Sequence, residues 1–143
     1  MKRFFLLTII LTAGAVAGRV VAQDAASASK RANQQYVLFE SERDKGTNVT
    51  AMYDYLLDSY ANFIKVVEAP DNGQYLEGAK NRLRSLYPYL LNGAVYYSEQ
   101  KQPAKALDLA AAYIDMPQLP AFSSELLPKD SRYASVVYYA AVS

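Results

Sequence analysis

The amino-acid sequence predicts an all-α fold made of antiparallel helix hairpins, and three observations predict it. Apolar residues recur at the helical period, most clearly at Tyr53, Leu56, Leu57, Tyr60, Ile64 and Val67, which fall at i, i+3, i+4, i+7, i+11 and i+14. Gly46, Pro70, Gln102-Pro103 and Pro117 punctuate such stripes where a helix most easily ends or begins. Of 143 residues, 52% are hydrophobic and none is Cys, so there is apolar surface for a core and no disulfide to help hold it.

The amino terminus has the pattern of a secretory signal: Lys2 and Arg3, then an uncharged run from Phe4 to Gly18 rich in small residues in its second half. Cleavage after Ala17 or after Ala22 satisfies the small-x-small rule, and the second leaves a polar start at Gln23. The run is too short to cross a bilayer, which takes about 20 residues, so no stable membrane span is expected once residues 1–22 are removed. The remaining chain carries 12 Lys and Arg against 14 Asp and Glu, a formal charge of −2, which disfavours nucleic acid as a partner.

Residues 23–29 are small and polar and predict a flexible lead-in to a helical domain over 30–143. Ala32, Tyr36, Phe39 and Arg43 give a first helix, ended by Gly46. Asn48 or Thr50 caps the second, whose stripe is given above and which Pro70 stops. Asp71 with Gln74 has the form of a capping box for the third helix, which carries Tyr75, Leu76, Ala79, Leu83, Leu86 and Tyr87. Pro88 would cost about 3 kcal/mol inside a helix, so the pattern favours a break near Leu86 and a new helix with Pro88 in its first turn. After Gln102-Pro103, the residues Ala106, Leu107, Ala110, Tyr113 and Ile114 make an inner face. Pro117, Pro120 and Pro128 bracket a loop whose Leu119, Phe122, Leu126 and Leu127 are apolar enough to lie on the bundle. Asp130 or Ser131 caps a last helix with Tyr133, Val137, Ala140 and Ala141 on one side.

From Tyr87 to Pro120 the chain resembles one tetratricopeptide (TPR) unit, a helix-turn-helix of about 34 residues. Tyr89 stands in the tryptophan place, Gly93 and Tyr96 follow at the family spacing, Ala106 opens the second helix's packing face, and Pro117 closes the unit. The resemblance implies a fragment of a right-handed TPR-like solenoid. It further implies that the first helix lines a concave groove, with Tyr87, Leu90, Ala94 and Tyr97 as partner-binding residues for an apolar or aromatic peptide. The same spacing also fits packing on the preceding helix. A solenoid needs a polar cap on its last face, and the chain has none after Tyr133, so the domain is expected to be incomplete at its C-terminal end.

Without His or Cys there is no imidazole base, no thiol nucleophile and almost no choice of zinc or copper ligands, so no catalytic, cofactor-binding or metal site is expected. Ser27-Ala28-Ser29-Lys30 matches the S-x-x-K pattern of penicillin-recognising serine enzymes but lacks that motif's other parts. Asn48-Val49-Thr50 is a glycosylation sequon, better read as a helix cap. Glu40, Glu42 and Asp44 spread over several faces, and Lys80, Arg82 and Arg84 form either a wet helix side or a seat for a phosphate or acidic partner. The expected function is a non-catalytic scaffold that binds another protein or peptide, exported to the periplasm or cell envelope of a Gram-negative bacterium. The alternative is an extracytoplasmic glycan- or nutrient-binding helical protein, with some of the chain's 13 Tyr stacking on sugar rings.

Overall fold

The computed structural model describes residues 25–128 and 130–142. The expected signal segment, 1–22, lies outside them. Among the described residues the regular structure is helical, with no strand.

Helix α1 runs over 25–45. It begins earlier than the expected lead-in allows, because Ala25, Ala28 and Ala32 are small enough to bury one face at i, i+3 and i+7. Tyr36 and Phe39 continue that face, and Gly46 ends it at φ 66°, with its N–H donating to the Glu42 carbonyl at 3.0 Å. Helix α2, Val49–Glu68, starts where the Asn48 side chain accepts from the Ala51 N–H at 3.0 Å. Its buried residues are Tyr53, Leu56, Ser59, Asn62, Phe63 and Val66, whereas Leu57, Tyr60, Ile64 and Val67 are only half-buried. The expected stripe is therefore one of two, since α2 meets different neighbours on two sides. Ser59 is buried without penalty because its hydroxyl donates to the Ala32 carbonyl of α1 at 3.0 Å.

Two expectations fail at α3, Leu76–Glu99. No capping box forms: the cap position is Tyr75 with no side-chain bond, and the Asn72 carbonyl takes the N–H groups of Tyr75 and Leu76 instead. Nor does the helix break at Pro88, which lies on its exposed side. The ring withholds one donor from the Arg84 carbonyl. Leu83, Leu86, Tyr87, Leu90 and Leu91 are buried around it, and each full burial is worth about 1.5–3 kcal/mol, which outweighs the local penalty.

The turn after α3 has the Schellman form, with Gln102 N–H on the Tyr97 carbonyl and Lys101 N–H on the Ser98 carbonyl. Lys101 takes the left-handed place at φ 55° that a glycine usually fills. Helix α4, Pro103–Asp115, starts on its proline and buries Ala106, Leu109, Ala110, Ala112 and Tyr113. Leu107, expected inside, is exposed. Two short 3-10 turns, Met116–Gln118 and Pro120–Phe122, lead into an irregular strap, and α5 follows at Tyr133–Val142. Phe122 is buried as expected, but Leu126 is fully exposed. The expected inner face at Val137, Ala140 and Ala141 lies outside the described side chains.

Helix α3 is the centre, packed against α2, α4 and α5. What lets the helices close is Gly93: a Cβ built there would lie 2.8 Å from Leu109 Cδ1 and 2.9 Å from the Tyr53 ring. A glycine at that position allows an approach that no other residue permits without displacement.

Candidate functional site

The four residues expected to bind a partner are held inside the bundle. Leu90 is completely buried and Tyr97 and Ala94 nearly so, while the Tyr87 ring stacks on Tyr113 with centroids 4.4 Å apart. Leu90, Ala94 and Tyr97 thus present no groove. The i, i+3, i+4 spacing that suited a concave surface serves the core, because α3 has neighbours on both flanks.

Of the four, Tyr87 also lines an opening. The strap over 123–128 and 130–132 crosses beside α3 and α4 and leaves a cleft of about 490 Å³. Tyr87, Pro88, Leu91 and Tyr113 form its floor, Leu126, Leu127 and Pro128 its outer wall, and Arg84 with Glu125 one end. At the other end the Asp130 N–H donates to the Tyr113 hydroxyl at 3.1 Å.

The charged end answers what the Lys80, Arg82, Arg84 group does. Arg84 and Lys80 share a turn spacing, so both reach one anion, and that anion belongs to the chain itself. Arg84 Nε lies 2.8 Å from Glu125 Oε2, Arg84 Nη2 lies 2.5 Å from Oε1, and Lys80 Nζ lies 3.2 Å from the same Oε1. The two-pronged Arg84 contact, with Lys80 adding to it, holds the Glu125 carboxyl at a pKa of about 2, against an ordinary 4.5. Phe122 lies under both cations, 5.6 Å from Arg84 Cζ and 5.7 Å from Lys80 Nζ. Arg82 turns the other way, over the Tyr36 ring at 4.2 Å.

Two aromatic hydroxyls differ in their surroundings. Burial, with the adjacent Tyr113 hydroxyl as a second cause, pushes the Tyr87 pKa well up, and the Tyr87 hydroxyl has no well-formed hydrogen bond among the described residues. Tyr60 donates to the Ala112 carbonyl at 3.3 Å, and burial, then the charges of Asp115 and Glu68, push its pKa up to about 12. Tyr60 sits over a shallower depression of about 410 Å³ between α2 and α4.

The remaining sequence candidates are local. Ser27 and Lys30 are exposed on α1, Asn48 is the α2 cap, and Arg43 bonds Asp44 at 3.0 Å within a solvated run. Among the described residues, no three acidic side chains gather where they could hold a metal ion, and no helix is long and apolar enough to cross a membrane. The sequence reading missed Glu125. It is the only acid between Asp115 and Asp130, set in the Pro-rich loop, and the Lys80/Arg84 pair needs an acid. Comparison with known protein families, with curated proteins and with solved structures finds no match.

Proposed function

We propose that the chain is a non-catalytic scaffold for protein–protein interaction, built of TPR-like helix pairs in a right-handed stack and exported to the envelope of a Gram-negative bacterium. The observation that carries this reading is the close nesting of α3 on α2 and α4 at Gly93. A chain that uses a glycine to bring helices together, and has no His or Cys to do chemistry with, is suited to presenting a surface.

Two further features support it. Helices pack on the next and on the next but one: α1 reaches α2 through Ser59 and α3 through the Phe39–Tyr89 ring contact, and α3 touches both α4 and α5. Stacked hairpins have this neighbour pattern. The outward side of α3 is then the surface left for a partner, at Asn81, Ser85 and Pro88, spaced i, i+4 and i+7 and all exposed. The partner surface accordingly moves from the buried Leu90, Ala94 and Tyr97 to this polar stripe. Export rests on Lys2, Arg3 and the apolar run that follows them.

A pull-down from envelope extract with the tagged full chain tests the reading. The wild type should enrich a specific protein that an Asn81→Arg, Ser85→Arg variant does not. Equal enrichment by both, with the variant folded, would remove this face from the account.

A further inference from the structure

The end of the cleft is an anion seat that the chain has filled with its own side chain, and groups other than that side chain also hold its cations. Arg84 Nη1 is anchored by the Asn81 side-chain oxygen at 2.6 Å, and the fully buried Phe122 ring supports both Arg84 and Lys80. Glu125 itself comes from a segment without regular structure, where its N–H bonds the Phe122 carbonyl at 3.0 Å and the next residue, Leu126, is fully exposed. Cations fixed by the helix and an anion carried on an irregular strap make the anion the exchangeable member of the set.

Behind the seat lies a floor of carbon. Leu91 is completely buried, Tyr87 and Tyr113 stack beside it, and Leu127 and Pro128 close over them. A cavity of about 490 Å³ falls within the roughly 300–1,000 Å³ of small-molecule sites. The charged lining is Arg84, Glu125 and Asp130 and the rest is mainly carbon, with both cations at the Arg84 end, so the lining suits a ligand with one anionic head and one greasy tail. The head's geometry is given by Glu125: a planar carboxylate meeting the Arg84 fork on two oxygens.

We propose that this cleft binds a small amphipathic carboxylic acid, whose carboxylate replaces Glu125 between Arg84 and Lys80 and whose tail lies along Tyr87, Leu91 and Tyr113. Glu125 is then an internal competitor. When the ligand takes its place the Glu125 side chain, a quarter exposed in the paired state, turns out to water. One carboxylate is exchanged for another at the seat, so the head adds little net affinity and the tail supplies the preference. The site shares Pro88 with the outward face of α3 and takes the anchor of Arg84 from Asn81, but its test substitutes only Glu125 and Arg84 and so stands apart from the scaffold reading.

The test is titration of the full chain with octanoate, followed by the near-ultraviolet circular dichroism of the tyrosines, with octanol as the neutral counterpart. Wild-type protein should bind octanoate weakly, Glu125→Gln at least tenfold more tightly, and Arg84→Gln at least tenfold more weakly than wild type. Octanol should gain nothing from Glu125→Gln. Should Glu125→Gln loosen the strap, Glu125→Asp, which retracts the charge by one methylene, gives an intermediate tightening. Octanoate binding that neither Glu125 variant strengthens, or that Arg84→Gln leaves unchanged, overturns the proposal.

Discussion

Around Gly93, α3 meets Leu109 and Tyr53 through carbon alone, at separations that leave no room for a methyl group. About two and a half turns earlier, around Arg84, the same helix meets the strap through one carboxylate and two cations at the edge of water. The first contact is fixed by shape and the second by charge. Shape cannot be adjusted without moving backbone, whereas a partly exposed ion pair can exchange partners without moving it. One helix thereby carries both the rigid part of the molecule and its adjustable part.

The largest expected effect breaks the rigid side. Leu90→Ala should lower stability by about 2–5 kcal/mol in denaturant unfolding, while Ser85→Ala on the outward face of α3 should stay within about 0.5 kcal/mol. Equal effects would mean that α3 does not have the inward and outward faces described. Pro88→Ala should raise stability by about 1–3 kcal/mol, because the position is exposed and the change returns a donor to the helix. A loss instead would mean that the proline is needed for the shape of the helix.

How far these features could be read from the sequence depends on how local they are. Asn48, one of the two expected caps, Gly46 as a stop and Gln102-Pro103 as the break between two helices follow from chemistry within a few residues, and the structure has all three. The continuity of α3 through Pro88 was not legible, because a local penalty is overruled by leucines whose partners lie on other helices. Nor could the stripe Tyr87, Leu90, Ala94 and Tyr97 say whether it faces a groove or a neighbour. Its spacing is the same in both cases. Glu125 lies 41 residues from Arg84, a pairing that only the path of the strap creates. Lys101 shows the opposite miss: a left-handed turn with no glycine to announce it.

Smaller effects sharpen the comparison. Tyr60 holds its proton more tightly when folded, at about 12 against an ordinary 10. Its contribution is whole below pH 10 and is lost as pH rises through about 12, so stability should fall across that window. Tyr60→Phe should make the fall shallower, and an unchanged slope would separate Tyr60 from the alkaline transition. Glu125 has the reverse sign: its pKa is depressed, so what it contributes is whole above pH 4.5 and is lost as pH falls towards 2. In melts at neutral pH, Glu125→Gln should cost only a small fraction of what Leu90→Ala costs. A larger loss would place the strap among the rigid parts.

The central claim, that α3 and α4 close on a glycine, is tested most directly by a double-mutant cycle of Gly93→Ala and Leu109→Ala measured by denaturant unfolding. Leu109→Ala removes the nearest of the atoms that the new methyl would strike, the Tyr53 ring carbons being the others, so the double variant should be more stable than the sum of the single losses implies, by about 1 kcal/mol. Losses that simply add, within about 0.5 kcal/mol, would contradict the contact and the nesting built on it.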